Sequence, residues 1–104
     1  MSAKKYDREL GIRTVGLREW SGQTHYNRYE ATPYEALDTL FRSYNVRRHK
    51  RVVDFGCGRG RVAFYIHRRF QVPVVGIEAN DKTYDEALSN KASYRVKARH
   101  ISAP

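Results

Sequence analysis

Apolar positions along the chain sort into alternating helix-type and strand-type stretches from residue 32 onward. Tyr34, Leu37, Leu40, Phe41 and Tyr44 recur at helical spacing and give one apolar face. Thr32-Pro33-Tyr34-Glu35 supplies the start of that helix, with threonine as N-cap, proline at the first helical position and a glutamate placed for a capping box. The pattern predicts a helix over 33–44. Arg47-Arg48-His49-Lys50-Arg51 is a polar connector, and Val52–Phe55 is a short apolar run of strand type. A helix over 59–70 follows, with Val62, Tyr65, Ile66 and Phe70 facing the sheet and Arg68 and Arg69 opposing the negative end of its dipole. A second strand spans 73–78, opened by Pro73, where a missing N–H does little harm. Between Lys82 and Arg99 there is neither glycine nor proline, and Thr83 with Glu86 has capping-box spacing, so a third helix is expected that fades between residues 92 and 100. Residues 1–31 have no clean periodicity; Ile12 to Trp20 mixes apolar and charged positions.

The expected order is therefore helix, strand, helix, strand, helix. That is a β-α-β unit with a helix added at each end, the pattern of an α/β, Rossmann-like doubly wound parallel sheet of which only the first half is in hand. Two parallel strands leave two open edges and cannot bury both faces alone, so self-association through those edges is expected. The division expected is an N-terminal segment, 1–31, of unclear structure and a cofactor-binding domain, 32–104, expected to be incomplete at its C-terminus.

The junction of the first strand and second helix carries the chemistry. In Asp54-Phe55-Gly56-Cys57-Gly58-Arg59-Gly60 one carboxylate runs into glycines at alternate positions. Glycine has no Cβ to hold a ligand away, so such a turn brings bare backbone close to it. Eighteen residues after Gly60 stands Glu78, at the tip of the second strand. An acid there suits a ribose diol; it could equally cap the third helix. A dinucleotide fingerprint fails at its third glycine, where Arg61 stands, and a P-loop fails because no Lys-Ser or Lys-Thr follows the glycines.

These residues resemble the class I S-adenosylmethionine-dependent methyltransferases. Asp54 to Gly60 is similar to that family's first motif, acid-x-Gly-x-Gly-x-Gly, and Gly76-Ile77-Glu78-Ala79-Asn80 to its second; the likeness covers roughly residues 32–90. It implies S-adenosyl-L-methionine as cofactor, with Gly56, Cys57, Gly58 and Gly60 passing under its methionine and ribose portions. It further implies that Asp54 orders the methionine end, that Glu78 accepts from the ribose hydroxyls, and that Asn80 or Asp81, with Ala79, lies near the adenine. The Thr32-Pro33-Tyr34 start resembles a segment that closes over the cofactor in some nucleic-acid methyltransferases; it reads as well as an ordinary helix cap. Tyr26 and Tyr29 either line the site or pack. Cys57 is expected to be a small filler. No catalytic residue and no metal site is indicated, since the histidines are scattered and one cysteine gives no ligand set.

Charge adds a partner class. Net charge is +9, from 20 basic and 11 acidic side chains, which fits either a polyanion such as RNA or a solvated basic surface. Arg47, Arg48, Lys50, Arg51, Arg68 and Arg69 precede strands or end helices, so they belong to the edge away from the cofactor, with only Arg59 and Arg61 near it. The alternative to an enzyme is a non-catalytic basic module that binds nucleic acid or protein on a methyltransferase-like fold. A different nucleotide-binding α/β protein is the third reading. A lone cysteine and the lack of an apolar N-terminal core suit the cytoplasm, and no apolar run nears the roughly 18–20 residues that span a bilayer.

Overall fold

A computed structural model of the chain describes residues 2–15, 31–48 and 51–95. Four α-helices and two strands follow in the order α1 (Ala3–Leu10), α2 (Tyr34–Ser43), a 3-10 turn (Val46–Arg48), β1 (Val52–Phe55), α3 (Arg61–Phe70), β2 (Val74–Ile77) and α4 (Asp81–Ser93). The strands pair in parallel, from Val52 opposite Val74 to Phe55 opposite Ile77. The alternation expected from residue 32 is present, and α1 is added in front of it.

Helix α1 hides from periodicity because it is short and buries a carboxylate beside its apolar residues. Ser2 caps it by accepting from Lys5 N, and Gly11 closes it in the left-handed region at φ 76°. A Cβ on Gly11 would lie 2.6 Å from the Ser93 carbonyl oxygen, so this C-cap also lets α4 come close. Asp7 and Leu10 are its buried residues.

Three helix starts differ from expectation, each for a local reason. Helix α2 begins at Tyr34, and no side chain caps it. Pro33 is still extended and its carbonyl takes the N–H groups of Ala36 and Leu37, while the Thr32 carbonyl accepts from Arg61 Nη1 at 3.2 Å. Helix α3 begins at Arg61, not Arg59, because Gly60 at φ 101° closes a turn through its N–H to the Cys57 carbonyl. Helix α4 begins at Asp81, where Asn80 accepts from Thr83 N at 2.9 Å; Thr83 is a buried residue of the helix interior. Pro73 stands just before β2 and contributes its carbonyl to Val52 N.

The core lies between α1, α2, α3 and the inner sheet face. Leu10, Tyr34, Leu37, Phe41, Tyr65, Ile66 and Phe70 fill it, with Val52 and Val74 packed against it. Leu40 and Tyr44, expected on the apolar face of α2, are 54% and 50% exposed. Val53, Phe55, Val75 and Ile77 line the outer sheet face and are exposed, Phe55 at 77%.

Polar struts tie the N-terminal residues to this core. Buried Asp7 accepts from Thr14 N and Oγ1, Val15 N and the Tyr34 hydroxyl. Arg61 is also buried: its Nε donates to Thr14 Oγ1 at 2.7 Å, and its guanidinium lies 4.4 Å from the Tyr34 ring centroid. Asp38 collects the hydroxyls of Tyr6 and Tyr65, with Arg69 Nη1 at 3.8 Å. The Tyr65 bond leads the causes that hold the Asp38 carboxyl below its ordinary value, and burial beside that carboxylate pushes Tyr6 up to about 12. Asn90 bonds Arg13 N and O and the Arg59 carbonyl, pinning α4 to the segment after α1 and to the residues just before α3.

Candidate cofactor-binding site

The ladder between β1 and β2 runs on past the strands. Gly56 N and Cys57 N both donate to the Ile77 carbonyl, at 2.7 and 2.9 Å, so the glycine turn starts while still anchored to β2. Gly56, Gly58 and Gly60 all take positive φ, at 72°, 60° and 101°. A side chain at any of them faces backbone strain, which explains the alternate spacing. Surroundings separate the glycines. A Cβ on Gly60 would strike the Phe64 ring at 2.5 Å, whereas one on Gly56 meets nothing within 4 Å. Gly60 is thus required by packing beneath the turn, and Gly56 borders open space above it.

Glu78 joins the two strand tips. Its Oε1 accepts from Gly58 N at 2.8 Å and its Oε2 from Asn80 N at 3.0 Å. An ionised carboxylate has about four acceptor positions, so two are still available to a ligand. Asn80, besides giving its N–H to Glu78, caps α4 with its side chain, and Ala79 is exposed between them. Glu78 therefore holds the turn as well as facing its mouth, a clasp invisible in the sequence because it runs through the main-chain N–H of Gly58.

Asp54 is different in kind. It sits half-buried in β1, and no hydrogen bond or ion pair reaches it among the described residues. Desolvation raises its carboxyl above the ordinary value. Cys57 fills the space over Gly76, where a Cβ would meet its Sγ at 2.8 Å. Burial pushes the Cys57 thiol up, and the Asp54 and Glu78 charges add to the shift, so it is the thiol form that stands there. Phe55, unremarked in the sequence except as a strand residue, is the large exposed ring beside the turn.

The structure thus brings Asp54, Gly56, Cys57, Gly58, Gly60, Glu78, Ala79 and Asn80 to the carboxyl ends of the two strands. It takes two arginines away from that group. Arg59 Nε pairs with Glu86 at 3.1 Å, and Arg61 points back to Thr14 and Thr32. Tyr34 is a core residue bonded to Asp7, so the start of α2 packs. Tyr26, Tyr29, His25, His49, Lys50, Lys97, Arg99 and His100 lie outside the described residues. Among the described residues no cluster of three or more His, Cys, Asp or Glu could hold a metal, and no helix is long and apolar enough to cross a membrane.

No curated protein and no solved structure matches the chain. A family model described as a methyltransferase domain does match, over residues 31–103, which takes in α2, β1, the glycine turn, α3, β2 and α4. With well over half its length matched, and the glycine turn and both strand tips inside the match, the chain belongs to the methyltransferase-domain family.

Proposed function

We propose that this domain seats S-adenosyl-L-methionine on the Gly56–Gly60 turn and serves methyl transfer from it. The observation that carries the reading is the turn itself, with three left-handed glycines clasped to the β2 tip through Gly58 N and Glu78, and open space over Gly56. The residues present fit such a group. When bound, the cofactor supplies a methyl made electrophilic by its sulfonium centre. Asp54, an unpartnered carboxylate in a partly desolvated place, is suited to the cationic methionine end, and a cation there would relieve the cost of its ionisation. Glu78 has acceptor positions left for the ribose hydroxyls, while Ala79 and Asn80 border the adenine. Ligands of open α/β sheets bind beyond the carboxyl ends of the strands, which is where these groups converge. Positioning the methyl for in-line displacement is then the chain's main contribution.

Calorimetry with S-adenosylhomocysteine tests this. The full chain should give a heat of association, and Glu78→Ala should weaken binding about 10- to 100-fold, the worth of one to two charge-assisted hydrogen bonds. A bulky Gly58→Val should abolish it. No heat with a folded sample, or equal affinity in all three proteins, overturns the proposal and leaves the non-catalytic basic module.

A further inference from the structure

We infer that the edge opposite the glycine turn is a docking surface for the phosphodiester backbone of nucleic acid, whether or not the turn seats a methyl donor. Arg42 ends α2, Arg47 and Arg48 form the 3-10 turn, Arg51 precedes β1, and Arg68 and Arg69 end α3. All six therefore stand where helices finish and parallel strands begin.

Contacts show how these cations are held. Arg47 Nε and Nη2 donate to the carbonyls of Phe70 and Arg69, both at 3.4 Å. Arg68 Nη1 reaches the carbonyls of Glu9 and Arg95 at 3.2 and 3.4 Å. Arg69 donates to the Phe41 carbonyl at 3.1 Å and the Tyr65 hydroxyl at 2.7 Å. Neutral oxygens orient a guanidinium without neutralising it, and each of these side chains keeps donors in reserve from its five N–H groups. Among the described residues, Asp38 and Glu9 are the carboxylates placed beside these cations. Asp38 lies 3.8 Å from Arg69 but is already shared with two tyrosine hydroxyls, and Glu9 lines the cavity of about 300 Å³ between α1 and α3 with Asp38, Arg68 and Arg69. Six guanidiniums beside these two carboxylates make the described part of the edge positive.

Residue type selects the partner. The six cations named are arginines, whose planar fork matches a phosphate in two bonds at once.

The test is binding of a fluorescein-labelled single-stranded RNA to the full chain, followed by anisotropy between 50 and 200 mM KCl. Six phosphate contacts on a single strand give a logarithmic slope of about −4, an affinity loss of about 300-fold over that range. Arg48→Gln/Arg51→Gln, two exposed positions, should lessen the loss to about 50-fold. Lys82→Gln, an exposed position in the first turn of α4 at the glycine-turn end, removes a charge away from this edge and should leave the wild-type slope. An unchanged slope in the arginine variant, an equal fall in the lysine variant, or displacement of RNA by polyglutamate at equal charge overturns the inference. A second measurement needs no variant: bound RNA should shield Arg47, Arg68 and Arg69 from phenylglyoxal, read by peptide mass, and equal modification with and without RNA overturns it as well.

Discussion

Gly56 and Gly60 share a motif and a backbone sign, yet alanine should harm them in different ways. At Gly56, φ 72° and empty surroundings mean that an added methyl suffers only the left-handed conformation, about 1–2 kcal/mol. A domain of this size loses roughly 4–8 °C of Tm per kcal/mol, so Gly56→Ala should melt roughly 4–16 °C lower. At Gly60, φ 101° is further from the left-handed minimum, and the methyl would sit 2.5 Å from Phe64 Cε2 and 2.9 Å from Cδ2. Displacing that ring, packed on Tyr94 with centroids 4.8 Å apart, adds about 1–3 kcal/mol to the backbone strain. Gly60→Ala should therefore lose two to three times as much stability. Part should return in Gly60→Ala/Phe64→Leu when compared with Phe64→Leu alone, a coupling between touching residues. The ligand reverses the ranking. A methyl on Gly56 enters the space above the turn, so saturating S-adenosylhomocysteine, worth about 2.7 kcal/mol at a hundred times Kd, should no longer raise its Tm. The Gly60→Ala/Phe64→Leu protein should keep that increment. Thermal melts with and without ligand decide. Equal losses at the two glycines, or a full ligand increment in Gly56→Ala, would refute the division of labour.

Asn90→Ala removes the amide that bonds Arg13 N, Arg13 O and the Arg59 carbonyl, and should cost about 2–4 kcal/mol in a urea melt; an unmoved midpoint would mean that α4 is not pinned there. Asp38, its carboxyl lowered chiefly by the Tyr65 hydroxyl, contributes stability above its unfolded value near 3.9 that is lost as pH falls through the lower folded value. Asp38→Asn should flatten that acid limb, and an unaltered stability–pH curve would count against it. Asp54, raised by burial, has the opposite sign: ionising it opposes folding as pH rises past its unfolded value near 3.9. Asp54→Asn should raise the Tm at pH 7, leave it unchanged near pH 3 and weaken S-adenosylhomocysteine binding; a lower Tm at pH 7 would show that the carboxylate is internally satisfied.

What the sequence showed of this molecule follows from the range of the interactions involved. Strand β1, the glycine turn and helix α3 are legible because neighbours in the chain decide them: an apolar run, positive-φ positions, then 3.6-residue spacing. The starts of α2 and α4 differ from the expected ones because no side chain caps α2 and Asn80, not Thr83, caps α4. Arg61 claims the Thr32 carbonyl, and Thr83 gives its own N–H to Asn80 and turns inward. Helix α1 was missed for a related reason. Its anchor is Asp7, and a carboxylate reads as solvent-facing until Thr14 and Tyr34 are known to surround it. Arg61 was expected near the ligand because it follows the motif, but one helical step from Gly60 rotates it toward Tyr34 and Thr14. Leu40 satisfies helical spacing yet is exposed, since the core takes only the Tyr34–Leu37–Phe41 stripe, and Tyr44 is already extended as the residue after α2.

The two acids of the site show why a motif of this kind combines structure and binding in one short stretch. Glu78 is satisfied before any ligand arrives: it holds the turn in shape through Gly58 N and α4's approach through Asn80 N. Asp54 is not, and its burial makes its charge costly in the ligand-free domain. A protein selected for stability alone would place an uncharged residue at that position. Keeping a carboxylate there has a physical rationale if a cation is to be met in that place. The positive edge lies at the other end of the strands, so it neither neutralises Asp54 nor repels an incoming sulfonium at close range. Separation of the two charge signs to opposite ends of one parallel sheet lets a strongly basic chain keep an acidic seat.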